Sequence, residues 1–203
     1  MKDVQVLYNL FILSGLASLK LRRSGSKDEF RGDMKFKYKA LIIIAPLFFL
    51  LDQLTKWLVT IRIPLGSELQ VITGFFDVVH YTNSGAAFGM LSGLSETIRT
   101  PFFYGISVIA LVGVIIYIIK LPDRDKLTAV ALSLVVSGIF GNGIDRIRFG
   151  RVTDFLSFHI SDKVLYGMRL EWPAFNIADS VITIAMVLLI ISAFKKDDNP
   201  TAR

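Results

Sequence analysis

The chain contains no cysteine and two histidines, His80 and His159, in 203 residues. The first absence excludes disulfides, thiolate nucleophiles and Cys-ligated zinc. The second argues against a metal centre built on imidazoles, so neither a metal nor a cofactor is expected. Charge is missing in a more informative way. Asp, Glu, Lys and Arg make up 20% of the sequence, but none occurs in 41–51, 102–119, 127–144 or 180–194. Such gaps exclude a disordered chain and a nucleic-acid module, and they argue against any soluble fold. The net charge of +6 does not point to nucleic acid either. Nine of the 23 basic residues precede Leu41, and Lys195 and Lys196 follow the last apolar stretch. Basic residues that flank apolar spans set topology and meet anionic headgroups.

What is present is apolar: 53% of residues are hydrophobic, against about 45–50% in an ordinary soluble domain. The mean hydropathy is +0.56. A membrane span needs roughly 20 mostly apolar residues. Four stretches meet that length: Tyr38–Val59, Pro101–Ile119, Leu127–Ile147 and Pro173–Phe194. Thr100-Pro101 reads as an N-cap followed by proline at the first helical position. Pro122 stops the second span, and Trp172-Pro173 opens the fourth with an indole suited to the headgroup zone.

With the N-terminus inside, 15 of the 23 Lys and Arg residues fall on the inner side and eight on the outer, which predicts both termini in the cytoplasm. The connection 60–100 then lies outside. Glu68–Ile72 and Asp77–Thr82 read there as short strands, turning at Thr73-Gly74 and ending at Asn83-Ser84-Gly85. The connection 148–172 reads as polar and mixed. The expectation is a mainly α membrane protein of four transmembrane helices with a small extracytoplasmic β-rich cradle. Its parts are an extension 1–36, a four-span body 37–194 that includes 60–100, and a cytoplasmic tail 195–203. The extension reads as cytoplasmic or as an interfacial helix. Met34-Lys35-Phe36-Lys37-Tyr38-Lys39 ahead of an apolar run also fits a start site, which would make the extension a mis-assigned beginning.

Ionisable side chains inside spans are costly and are functional candidates by default. Asp52 and Lys56 stand at i, i+4 in the first span, the spacing of an intrahelical ion pair. Asn142, Asp145 and Arg146 stand near the outer end of the third. Asp154 follows in the outer connection, and Asn176 and Asp179 lie about six residues or fewer below the outer end of the fourth. All converge on the outer third of the membrane. No serine has an obvious dyad partner and there is no H-E-x-x-H motif. Two carboxylates in one low-dielectric site share a proton, one serving as base and one as acid. That suits water-mediated peptide hydrolysis, and it also suits a proton-coupled transporter.

Five motifs separate these readings. Asp52-Gln53-Leu54-Thr55-Lys56, Asn83-Ser84-Gly85-Ala86-Ala87-Phe88-Gly89, Gly141-Asn142-Gly143-Ile144-Asp145-Arg146, Val152-Thr153-Asp154-Phe155 and Phe175-Asn176-Ile177-Ala178-Asp179-Ser180 occur in this order. Together they resemble the bacterial lipoprotein signal peptidases (signal peptidase II) over about 40–190, with Thr153 for the usual valine and an added N-terminal extension.

The resemblance implies an intramembrane aspartic endopeptidase of the bacterial inner membrane, with its active site near the outer face. It would remove the signal peptide of diacylglyceryl-modified prolipoproteins just before the lipidated cysteine. It implies Asp154 and Asp179 as the catalytic pair. Asn142, Asp145, Arg146, Asn176, Asp52, Lys56 and Asn83 become supporting residues, and Gly85, Ala86 and Phe88 substrate contacts. Prolipoproteins, membrane lipid and globomycin-type inhibitors are the implied partners, nucleic acid is not, and the chain is expected to act as a monomer. The alternative is a small transporter with buried carboxylates, though four spans and no repeat are few for one.

Each residue also has a structural reading. Asp145 pairs locally with Arg146 or caps a helix end. Asn142 and Asn176 are interhelical hydrogen-bond residues, and Gly138, Gly141 and Gly143 allow close helix approach. His80 and His159 are surface residues. Phe75, Phe76, Phe102 and Phe103 are interfacial anchors or face lipid.

Overall fold

The computed structural model describes residues 34–85, 93, 95–165 and 168–195. Within them the chain forms four helices and four strands: α1 (Phe36–Arg62), β1 (Glu68–Ile72), β2 (Phe76–Asn83), α2 (Glu96–Lys120), α3 (Lys126–Phe149), β3 (Val152–Leu165), β4 (Met168–Glu171) and α4 (Ile177–Phe194). Each helix carries a stretch long and apolar enough to cross a membrane. The four-span expectation therefore holds, as does the small β element.

α3 is the centre of the bundle. In α3, 56% of the span is buried, against 6% in α2. One cluster of small and branched residues, Ala45, Ile118, Leu121, Ala129, Leu132 and Val136, joins α3 to α1 and α2. A second, Ala131, Leu134, Val181 and Ala185, joins it to α4. The other faces stay apolar and exposed, as at Ile43, Leu50 and Trp57 on α1 and Ile109 on α2. Helices that are hydrophobic all round are those that meet lipid as well as each other. Hydroxyls inside the spans bond back to their own helix, Thr60 to the Lys56 carbonyl at 2.8 Å and Ser133 to that of Ala129 at 2.7 Å. Such bonds satisfy the hydroxyl donors where no water can, although Ser137 Oγ in α3 is buried with no partner among the described residues.

The strands form one antiparallel sheet in the order β1-β2-β3-β4. It lies at the bundle end where α1 and α3 finish and α2 and α4 begin. Gly74, at φ 74°, makes the turn between β1 and β2, where Thr73-Gly74 predicts it. Gly150, at φ 69°, ends α3 in the left-handed conformation that glycine adopts without strain.

Several boundaries differ from the sequence reading. α2 begins at Glu96 after Ser95, so Pro101 lies inside the helix. The apolar span does begin at Pro101; hydropathy locates the hydrocarbon but not the helix end, and spans tolerate a proline. α4 begins at Ile177, not Pro173. The preceding residues are instead tied to β3, with Phe175 N–H donating to Leu156 and Phe175 C=O accepting from Phe155 and Leu156 at 2.8–3.0 Å. The stretch read as a polar connection holds β3 and β4. Its alternation places Phe155, Ser157 and His159 on one buried face.

The histidines are therefore not surface residues. His159 is 2% exposed, with Nδ1 3.6 Å from Asp77 Oδ2. A register shift in β2 between Val78 and Tyr81 turns both Val79 and His80 inward, and His80 Nδ1 lies 2.8 Å from the Ile63 carbonyl. Two phenylalanines also leave their expected place: Phe76 stacks on Phe158 at 4.7 Å, and Phe103 packs inward. The extension 1–33 lies outside the described residues.

Candidate active site

The site is assembled from the ends of α1, β2, α3 and β3 and from the first turn of α4. The α4 end is a capping box. Asn176 Oδ1 accepts from the Asp179 N–H at 3.0 Å, and Asp179 Oδ2 accepts from the Asn176 N–H at 3.2 Å. This satisfies two orphan donors reciprocally and fixes Asp179 in the first helical turn rather than deeper in the span. Its other oxygen, Oδ1, accepts from Asn142 Nδ2 at 2.8 Å. Asn176 Nδ2 reaches across to Asp154 Oδ1 at 2.8 Å and to the Thr153 carbonyl at 3.3 Å. One asparagine thus caps α4, grips β3 and orients both carboxylates.

Asp154 stands on β3 opposite Tyr81 of β2. It is 4% exposed. Burial first, and the Asp179 carboxylate second, push its pKa up to about 7. Hydrogen bonds from Asn176 and Asn83 act in the opposite direction. Near neutral pH the pair thus holds a proton, as two carboxylates in one poorly solvated site must.

Lys56 organises the layer beneath. Its ammonium lies 2.8 Å from Asp52 Oδ2, 3.0 Å from Asp145 Oδ2 and 3.0 Å from Asn142 Oδ1. Three acceptors match the three donors of an ammonium, which has no acceptor of its own. The Asn142 amide is thereby oriented: its oxygen must face Lys56, so its NH2 must face Asp179. Asp52 Oδ1 accepts from the Ala178 N–H at 2.9 Å, one of the backbone donors left free at a helix start.

Asp145 differs from the sequence reading. It does not pair locally with Arg146. Its carboxylate takes Lys56, the Thr153 N–H at 3.2 Å and Gln53 Nε2 at 3.0 Å. Gln53 and Thr153 are network members that the sequence reading did not single out as site residues. The signal for Gln53 was a second polar side chain beside Asp52 in an apolar run.

Gly141 permits this layer. A methyl group there would lie 2.7 Å from Asp52 Oδ2 and 2.9 Å from Ala178 Cβ. Gly138 faces Ile182 and the Ala178 carbonyl in the same way. Gly143 does not, since nothing lies within 4 Å of such a group; the close-approach expectation fails there.

Asp154 and Asp179 line a cavity of about 790 Å³ with Asn83, Gly85, Asn142 and Arg146. Its apolar wall includes Phe158, Trp172 and Phe175 and continues along α4 to Ile184, which is exposed on the outside of the bundle. Asn83 Oδ1 accepts from the Gly85 N–H at 2.9 Å. Arg146 Nη2 donates to the Gly85 carbonyl at 3.4 Å. The predicted contacts Ala86 and Phe88 lie outside the described residues. A hydrogen-bonded carboxylate pair, Asp154 buried and Asp179 half-buried, holding a proton at neutral pH beside an apolar cavity that reaches the bundle surface, can polarise a water for attack on a carbonyl.

Comparison with known proteins agrees with the motifs. The sequence model of a family described as "Signal peptidase (SPase) II" matches residues 44–195. The lipoprotein signal peptidase of Syntrophus aciditrophicus is 40% identical over 163 residues, covering 80% of this chain and 97% of that protein. That of Bacillus pumilus is 41% identical over 149 residues, 73% of this chain and 88% of that one. That of Staphylococcus aureus is 36% identical over 158 residues, 78% of this chain and 90% of that one. A solved structure described as "Bacterial membrane enzyme structure by the in meso method at 2.3 A resolution" aligns with a TM-score of 0.66 at 34% identity, covering 80% of this chain and 92% of the other. None of these is described as a transporter.

Proposed function

The chain belongs to the signal peptidase II family, and on that premise we propose that it cleaves by an aspartic mechanism carried by Asp154 and Asp179. The carboxylates hold a water between them. The ionised member takes a proton as the water attacks the scissile carbonyl, and the protonated member donates to the carbonyl oxygen. The roles then exchange as the amine leaves. The substrate is a diacylglyceryl-modified prolipoprotein cut just before its lipidated cysteine. Lys56, Asn142 and Asn176 hold the carboxylates in place, and Asp52, Asp145 and Gln53 hold Lys56. Asn83, Gly85 and Arg146 border the cavity that receives the peptide.

The observation that carries this reading is the joint placement of Asp154 and Asp179 on one cavity, bridged by Asn142 and Asn176. The apolar wall running to Ile184 suits acyl chains, whose insertion is favourable by about 0.8 kcal/mol per buried methylene. The distribution of basic residues supports both termini in the cytoplasm and a site near the outer face. Globomycin-type inhibitors would occupy the same cavity in a monomer.

Asp154→Asn and Asp179→Asn should each abolish cleavage of a diacylglyceryl-modified prolipoprotein by purified protein in detergent, and the double variant should be no worse than either. Asn keeps the size but cannot exchange a proton. The Asp154→Asn protein should also keep its thermal stability between pH 5 and pH 8 better than the parent. The sign follows from the raised pKa: the folded state binds a proton that the unfolded chain releases near pH 4, so parental stability falls as pH climbs toward about 7. Substantial cleavage by a folded Asn variant would overturn the aspartic mechanism.

A further inference from the structure

Arg146 is anchored by the helix that contributes least to the rest of the bundle. The Phe103 ring centroid lies 4.7 Å from Arg146 Cζ, inside the roughly 6 Å over which an aromatic face attracts a guanidinium. The next residue, Tyr104, donates its hydroxyl to the Arg146 main-chain carbonyl at 2.8 Å. That carbonyl stands in the last turn of α3 and also accepts from Gly150 N–H at 2.9 Å. Two consecutive α2 residues thus hold one arginine, one at its head and one at its root.

Among the described residues little else restrains the head. Nη2 reaches the Gly85 carbonyl at 3.4 Å. Nε is buried without a hydrogen-bond partner among the described residues. Arginine has large rotamer entropy to lose, so a single long contact would not keep the group still. Its location matters because it lines the same cavity as Asp154 and Asp179, and its charge acts on both.

We propose that Phe103 and Tyr104 are positioning residues for the peptidase reaction, fixing the Arg146 guanidinium where its charge keeps the Asp154–Asp179 pair singly ionised at neutral pH. This rests on the aspartic reading above. The groups facing the pair are Asn83 from β2, Lys56 from α1, Asn142, Asp145 and Arg146 from α3, and Asn176 from α4. Of the two cations, Lys56 is held by Asp52 and Asp145 within α1 and α3. Arg146 is the one whose placement depends on α2. Loosening it withdraws positive charge and makes the pair harder to ionise, so the acidic limb of the rate profile moves to higher pH.

The test is turnover of a diacylglyceryl-modified prolipoprotein against pH by the purified full chain in detergent, with thermal unfolding alongside. Phe103→Leu removes the aromatic face, Phe103→Tyr keeps it, and Tyr104→Phe removes the hydrogen bond alone. Phe103→Leu should lower kcat about threefold at pH 6, and less at pH 8, with little change in KM. Its acidic limb should rise by about half a pH unit. Phe103→Tyr should restore the parental profile, and Tyr104→Phe should fall between. A parental pH profile in Phe103→Leu, at full or lowered turnover, overturns the proposal. So does a Phe103→Tyr variant as impaired as Phe103→Leu. Asp154→Asn run beside them separates the two readings. If it is inactive while Phe103→Leu keeps the parental profile, only the role of α2 falls; if it cleaves, the aspartic reading falls as well.

Discussion

Lys37 and Lys56 occupy the two ends of α1, roughly 28 Å apart along its axis, and both are buried, at 5% and 4% exposure. They are satisfied by different partners. Lys37 donates to the main-chain carbonyls of Ile119 and Leu121 at 2.9 and 2.7 Å, with Asp123 at 3.8 Å. It completes the C-terminus of α2, where helix carbonyls lack intrahelical donors and a cation is favoured. Lys56 meets only side chains, and two of those are carboxylates. When Lys37 goes, its backbone acceptors leave no charge behind and Asp123 is half exposed to water. Buried carboxylates do leave one, and one neighbour of Lys56 also touches Asp179. The same residue type in the same helix is thus a fastener at one end and a charge-balancing hub at the other.

The largest effect should come from breaking the hub. Lys56→Met leaves Asp52 and Asp145 buried without their cation, and the expected cost is about 3–5 kcal/mol together with loss of cleavage. Adding Asp52→Asn removes one of the orphaned charges. The double variant should therefore be more stable than Lys56→Met alone, and thermal unfolding in detergent measures the difference. Additive losses would mean that the two residues act independently.

Next in size is crowding beneath the hub. Gly141→Ala forces a methyl against Asp52 and Ala178 and should cost about 1–3 kcal/mol while sharply lowering turnover. Gly143→Ala, two residues away with open space around it, should instead gain up to about 1 kcal/mol from helix propensity. Paired melting curves and cleavage assays of the two variants check the contrast. The smallest effect belongs to the fastener. Lys37→Met should cost about 1–2 kcal/mol, the value of lost hydrogen bonds to a charged donor, and leave the pH profile of cleavage unchanged.

How far the site could be read in advance depended on the kind of signal. Intramembrane charge is rare enough to announce itself, so Asp52, Lys56, Asp145 and Asp179 were visible from composition and spacing. Asn142, Arg146, Asp154 and Asn176 stood out by their place in the same layer, and motif order then added Asn83 and the expectation that Asp154 and Asp179 are the reacting pair. Partner choice was not visible. Asp145 stands next to Arg146 in the chain, yet successive helical residues point about 100° apart, and its carboxylate turns to Lys56 on another helix. β3 was missed because Asp154, Asp162 and Lys163 interrupt an alternation that only pairing with β2 makes meaningful. Phe103 was read as an interfacial anchor or as lipid-facing because an aromatic at a span end normally is; its use as a platform for Arg146 depends on how α2 docks against α3.

The contact between Lys56 and Asp52 closes within a single helical turn, and this bears on how the chain enters a bilayer. An isolated charge at the centre of an inserting helix costs about 2.5–3.5 kcal/mol on translocation scales. α1 carries two of opposite sign that neutralise each other before any other helix is present, so it can enter as an uncharged unit. In the folded chain Asp145 of α3 turns to the same Lys56, so the pair that lets α1 enter as an uncharged unit also supplies the charge against which α3 docks.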